Sequence, residues 1–242
     1  MIAALPMYDR PETRAANDRL WSAVADRLTE APRDLTRDLP LDALWTDPDL
    51  MLSQTCGLPY ALGLHAQVTL VASPDFRLDG CPPGYYRSVI VTRSEETRRL
   101  RELLRDHAIL NDRHSQSGHN ALHVFAQTHG ARLVDPAESG SHRASAQAVA
   151  AGQAGIAAID ANTWRMIARW DEWASGLTVI ARTPPTPAMP FICGQAADPE
   201  AVRSALTAAL SGLDAEDRDT LGLYGLADLP KSAYLAVPPP PI

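Results

Sequence analysis

Residues 108–130 read AILNDRHSQSGHNALHVFAQTHG, and their order decides the fold class. Residues 108–111 are a short, mostly apolar run of the length of a buried strand. The next stretch is polar, with Ser115, Ser117 and Gly118 at its centre. From 117 to 129 the pattern predicts a helix, with Gly130 as its C-cap. A strand that turns through small polar residues into a helix is the building unit of an α/β fold.

Working outward, the unit recurs. Upstream, residues 2–7 form a short apolar run that suits a strand, and residues 11–28 form an amphipathic helix. Leu20, Trp21, Val24, Ala25 and Leu28 share its apolar face. Residues 49–53 (DLMLS) predict a strand that turns through Thr55, Cys56 and Gly57 into a helix. Residues 68–72 and 86–92 predict two more strands, and the β-branched YRSVIVT is the stronger. Ser94, Glu95 and Glu96 are expected to cap a charged helix that runs to about Arg105. Downstream, residues 133–134 read as a weak strand, 139–151 as a helix ended by Gly152, 156–160 as a strand and 162–170 as a helix. Strands at 177–181 and 191–193 and a helix at 199–210, N-capped by Asp198, follow. Pro238 to Pro241 cannot continue a helix or a central strand, so the tail is expected to be loose. The fold class is therefore α/β.

The chain has 242 residues, 45% of them hydrophobic, enough for a sizeable core without disulfides. Lys and Arg total 22 against 29 Asp and Glu, a net charge of -7, and Lys231 is the sole lysine. No basic face is available to release counterions from nucleic acid, so a nucleic-acid partner is excluded. Cys56, Cys81 and Cys193 have no CxxC spacing and read as buried or incidental thiols, with a Cys56–Cys81 disulfide as the minor alternative. No apolar run approaches the length of a membrane span. The first ten residues have neither a basic n-region nor a long apolar stretch. The chain thus reads as cytoplasmic with Met1 as its native start, and as periplasmic where a signal peptide has been trimmed.

Three turns share one grammar: Ser53-Gln54-Thr55-Cys56-Gly57, Ser115-Gln116-Ser117-Gly118, and Ser139-Gly140-Ser141-His142. Each precedes a helix. The first turn of a helix exposes unpaired N–H groups at the positive end of its dipole. Small hydroxyl residues and glycine let a tetrahedral oxyanion approach those groups. Plain N-capping by serine is the alternative for any one turn. His142 stands in a first turn, where a neutral imidazole donates to an oxyanion and a protonated one pairs with it. No nucleotide-phosphate loop of the GxGxxG or GxxxxGK[ST] type is present.

These residues carry a resemblance. LPMYD (5–9), SQTCGLPY (53–60), YRSVIVTR (86–93), NDRHSQSG (111–118) and GSHRASAQAVAAGQAGIAAIDANTW (140–164) together resemble the phosphonate- and phosphate-binding branch of the type 2 periplasmic binding proteins. These are the substrate-binding components of ABC importers, and the resemblance spans roughly residues 2 to 200. It implies two lobes, each a mixed, mostly parallel sheet flanked by helices, joined by two crossover strands near 86–92 and 178–183. Lobe one would be discontinuous, residues 1–87 and 184–242, and lobe two 88–183. The ligand, a phosphate, phosphite or phosphonate, would sit in the cleft between lobes. By motif match Ser115, Gln116, Ser117 and Gly118 would hold its oxygens, with His142 nearby. Asp160 would meet a ligand amine or hydroxyl, and Tyr8, Thr55 and Tyr60 would come from lobe one. For Tyr8 and Tyr60, core or hinge packing is the alternative.

The chain departs from the family pattern at Gln116, where a Ser or Thr is usual, and at Gly155, where an Asp is common. The loss of that carboxylate bears on any preference for amine-bearing phosphonates. The resemblance implies no cofactor, no catalysis, a monomer and an ABC permease as partner. A cytoplasmic enzyme or a ligand sensor on the same fold is the alternative, with Asp160 and His142 as the evident pair for chemistry. His119 and His123 are four apart on one helix but lack the Glu of HExxH, so a metal site is not expected. Ser115 or Ser117 with His142 and Asp160 imitates a hydrolase triad, yet no GxSxG elbow is present.

Overall fold

The computed structural model describes residues 1–240. It divides into two compact units, one made of Met1–Tyr85 with Pro187–Val237, the other of Tyr86–Thr186 with the tail from Pro238. The architecture is a two-lobed α/β fold in which helices flank two five-stranded sheets.

In the first unit the strands run in the order Ile2–Ala4, Leu50–Gln54, Phe191–Cys193, Thr69–Asp75, Gly225–Ala227. Only the first two pair in parallel. Phe191–Cys193 enters antiparallel to both of its neighbours, and Gly225–Ala227 is antiparallel to Thr69–Asp75. Leu50–Gln54 is buried at every residue, as a strand covered on both faces must be. The core beneath it joins Ala4, Leu44, Trp45, Leu50, Tyr60, Leu64, Ile192 and Tyr234. The expected long N-terminal helix is Arg14–Ala25, which buries Leu20, Trp21 and Val24. Each such apolar side chain contributes about 1.5–3 kcal/mol when fully buried. The helix is pinned by Arg19, whose Nε donates to Asp217 at 2.7 Å and so lowers the pKa of that carboxyl.

The second unit orders its strands Ala137–Glu138, Ala108–Leu110, Ile156–Asp160, Ser88–Arg93, Leu177–Arg182. The first three pair in parallel and the last two join antiparallel. Parallel pairing is thus confined to the βαβ part of each sheet, so neither sheet is mostly parallel. The antiparallel strands are those on either side of the chain positions where one unit gives way to the other. Ile90, Leu104, Leu122, Phe125, Ile156 and Ala158 are among the core of this unit.

Several local expectations shift. Ser94 does not cap a helix. The Glu96 carboxylate instead accepts bonds from the Thr97 and Arg98 amides, Arg98 Nε and Arg93 Nη2 at 2.8–3.0 Å. The Arg98 guanidinium and amide lead in holding its pKa down at about 2, and the helix begins only at Leu100. Leu133 and Val134 form no strand, because Asp135 has a positive φ and Pro136 has no N–H to pair. The strand falls at Ala137–Glu138, while Leu133 packs into the core from a loop. The tail is tied down at Pro238, whose carbonyl accepts a bond from Asn120; Pro241, also expected to be loose, lies outside the described residues. No helix among the described residues is long and apolar enough to cross a membrane.

Candidate functional site

The second unit assembles its polar centre from two helix starts. The strand Ala108–Leu110 ends at Asn111, and the Ser139 and Gly140 amides bond the Leu110 and Asn111 carbonyls at 2.9 and 2.8 Å. The end of one strand therefore holds both serine-rich turns. Ser115 caps the first helix: its Oγ accepts the Gly118 amide at 3.0 Å. That helix opens with one wide turn, Gln116–Asn120, and continues as Ala121–Thr128. Ser141 caps the second, His142–Ala150, by accepting the Ala144 amide at 3.1 Å. The two starts meet where Ser117 Oγ and His142 Nε2 lie 2.7 Å apart.

Gly118 is there because nothing larger fits. A Cβ at this position would fall 1.7 Å from Asn111 Oδ1 and 3.2 Å from the His142 ring. Asn111 thus fills the space that a side chain would take, and its Oδ1 is buried without a hydrogen-bond partner among the described residues. Below this turn, Ser88 Oγ donates to the Ser117 carbonyl at 2.8 Å. Ser88 is paired in register with Asp160. Asp160 is fully buried at the end of its strand, and its Oδ1 accepts the Thr163 amide at 2.8 Å to cap the next helix.

His142 is enclosed, and burial lowers its pKa to about 4, offset only in part by the backbone of Ala158. It is therefore neutral at physiological pH. Its Nδ1 has no hydrogen-bond partner among the described residues. Among the described residues no carboxylate bonds the ring, so Ser117, His142 and Asp160 are not arranged as a hydrolase triad. The cluster of Ser115, Gln116, Ser117, Gly118 and His142 carries no formal positive charge at neutral pH. What it offers an anion is two helix N-termini and neutral donors.

The residues expected from the other lobe are placed differently. Tyr8 is buried with its ring edge-on to Phe76 at 5.2 Å, in a small cavity also lined by Leu5, Gln54 and Phe191. Thr55 is buried at the end of Leu50–Gln54, its amide bonded to the Pro190 carbonyl at 3.1 Å. Tyr60 belongs to the apolar core, its ring 5.2 Å from Tyr234. Burial raises the pKa of its phenol. In the second unit Ser115 bonds Gly118 and Ser117 bonds His142, whereas Tyr8, Thr55 and Tyr60 are each packed within the first unit.

Gly155 is also explained. It sits at the opposite end of the Ile156–Asp160 strand from Asp160, roughly 16 Å away at strand rise. A Cβ there would meet Leu103 at 2.6 Å and His107 at 2.9 Å. Gly155 therefore answers to helix packing and has no bearing on the polar cluster.

Three residues of this site escape sequence reasoning: Ser88, Asn111 and Asn120. Ser88 lies inside an apolar strand and gives no signal of its own. Asn120 stands four residues after Gln116, a spacing at which side-chain amides bond on a helix face.

Residues 52–231 match the family described as ABC transporter, phosphonate, periplasmic substrate-binding protein. No curated protein matches the chain by sequence. Among solved structures the chain is similar to PhnD1 from Prochlorococcus marinus in complex with methylphosphonate: TM-score 0.70, 16% identity, 96% of this chain and 94% of that one. It is also similar to a Xanthomonas citri protein bound to chloride (TM-score 0.66, 14% identity, covering 96% and 92%). A third likeness is to a binding protein component of an ABC phosphonate transporter from Pseudomonas aeruginosa (TM-score 0.63, 15% identity, covering 91% and 77%).

Proposed function

The chain belongs to the phosphonate family of ABC transporter periplasmic substrate-binding proteins, and from that premise we propose that it binds a small phosphorus oxyanion through the paired helix starts of its second unit. One observation supports this above the others: Ser117 and His142, each in the first turn of its own helix, lie 2.7 Å apart. Two positive dipole ends thus serve one location, and Gly118 lets Asn111 and His142 pack closely against it.

In this reading Ser115, Gln116, Ser117 and Gly118 supply hydroxyl, amide and backbone donors to the phosphoryl oxygens. His142 acts through Ser117, fixing the hydroxyl. Asp160 accepts a hydrogen from a ligand hydroxyl or amine. Tyr8 and Thr55 are the first-unit candidates, while Tyr60 serves the core. The process is recognition followed by hinge closure, without chemistry. Methylphosphonate, phosphite and phosphate are the ligand class. The partner is the permease of an ABC importer, and the protein is a monomer.

Calorimetric titration with methylphosphonate, phosphite, phosphate and sulfate tests the proposal. The expected result is one site per chain for at least one phosphorus oxyanion, weakened about tenfold or more by Ser117→Ala, since a hydrogen bond to a charged group is worth about 1.5–3 kcal/mol. A folded protein that gives no heat with any of the four overturns it.

A further inference from the structure

The second unit carries a cavity of about 420 Å³, lined among others by Arg113, His119, His123, Gln127, Arg132 and Asp135. It shares no residue with the Ser117–His142 cluster, and its volume is that of a small-molecule site. His119 and His123 stand with their rings edge-on, centroids 6.5 Å apart. His119 Nδ1 lies 2.7 Å from the Arg113 carbonyl. A carbonyl only accepts, so Nδ1 carries a hydrogen and Nε2 is the nitrogen that gains or loses one. Burial leads in lowering the pKa of His123, and the neighbouring His119 and Arg132 lower it further. The carboxylates nearby are already engaged. Asp135 and Glu138 lie 3.6 and 3.4 Å from the Arg113 guanidinium, and Asp112 lies 3.4 Å from His114. Arg132 has no ion-pair partner among the described residues. One unanswered guanidinium therefore shares a cavity with two imidazoles. Like charges gathered there disfavour one another, and an anion placed among them removes that penalty.

We propose that this cavity is a second ligand site, for a small polyvalent anion bearing carboxylate or phosphoryl groups, with Arg132, His119 and His123 as its charged donors and Gln127 as a neutral one. The guanidinium of Arg132 is a planar fork that matches either group. The charge of the anion favours the protonated imidazole, so binding takes up a proton at His123 and turns both of its ring nitrogens into donors. The same guanidinium opposes a divalent cation held between the two histidines, by simple Coulomb repulsion. Two imidazoles also fall short of the four ligands of a zinc site, and the described residues contain no group of three His, Cys, Asp or Glu that could hold a metal ion. The proposal does not depend on the oxyanion reading above.

The test uses the full chain with citrate and pyrophosphate, which carry the two anion chemistries. Proton spectra of the histidine rings are recorded from about pH 5 to 8, with and without each probe. At least one probe is expected to bind saturably, to shift the ring signals of His119 and His123, and to raise the titration midpoint of His123. The probe that does so names the chemistry. Arg132 is exposed, so Arg132→Gln keeps the fold. It is expected to raise the His123 midpoint in the free protein and to weaken the probe about tenfold, the loss of one charge-assisted contact. Ring signals of His123 that neither probe moves overturn the proposal. So does probe binding that is intact in Arg132→Gln and lost in Ser117→Ala, which would belong to the first site. Zinc ions added alone that bind the two histidines more tightly than either probe overturn it as well.

Discussion

The two units use one sequence grammar and obtain different results from it. In each, a buried strand turns through Ser, Thr and Gly into a helix. In the second unit the helices that follow are long and side-chain capped: Ser115 accepts from Gly118, and Ser141 from Ala144. In the first unit the helix after Thr55 is Gly57–Leu62, six residues with no side-chain cap. A short uncapped helix has little dipole to offer and leaves its first amides unserved. Tyr60, within that helix, is drawn into apolar packing. On the proposed reading, what separates the two turns is the capped helix behind each and its convergence with a second such helix.

The sharpest way to break this contrast is at glycine. Gly118→Ala drives a Cβ into Asn111 and should destabilise the protein by about 3 kcal/mol, at the upper end for overpacking. Gly212 in the first unit has nothing within 4 Å, and Gly212→Ala should be neutral or stabilising by up to about 1 kcal/mol. Denaturant melts of both variants give the comparison. Equal effects would show that Gly118 is not tightly enclosed.

Acid is the next probe. The His142 pKa is about 4 in the folded chain, below the ordinary value of 6.5. The unfolded chain therefore takes up the proton first as pH falls. Stability is full above about pH 6.5, declines towards pH 4, and loses about 3 kcal/mol across that window. Melting curves over this range should slope for the wild type and flatten for His142→Gln. An equal slope in both would place the acid sensitivity elsewhere. Glu96 contributes in a lower window: its carboxyl is held at about 2, so its stabilisation is present above about pH 4.5 and fades below it.

The smallest effect is expected at Tyr60. Tyr60→Phe keeps the ring that packs on Tyr234 and should leave methylphosphonate affinity unchanged within about twofold. A loss as large as that of Ser117→Ala would return Tyr60 to the ligand site and remove the contrast between the units.

Much of this was legible in the residues. Period, caps and β-branched runs placed most strands and helices, because burial and capping are local in sequence. Ser115, Ser117, Gly118 and His142 were legible as helix starts. Their meeting was not, since Ser117 and His142 are 25 residues apart and only the sheet order brings them together. Glu96 is not legible in the sequence, because a carboxylate near a predicted N-terminus looks like a cap until its arginine partners are known. The strand directions escaped as well: alternation of strands and helices implies parallel pairing, and it cannot show that Phe191–Cys193 and Ser88–Arg93 insert antiparallel. Gly155 looked like a lost carboxylate, but it is a packing contact at the other end of its strand.

The central claim is that the ligand is held by the Ser117–His142 junction. Backbone amide spectra of the nitrogen-15-labelled protein, recorded while methylphosphonate is added, test it most directly. The account predicts that the largest shifts fall on Gln116, Ser117, Gly118 and the first turn of His142–Ala150. Saturable shifts that leave those amides unmoved and centre on other residues would contradict it.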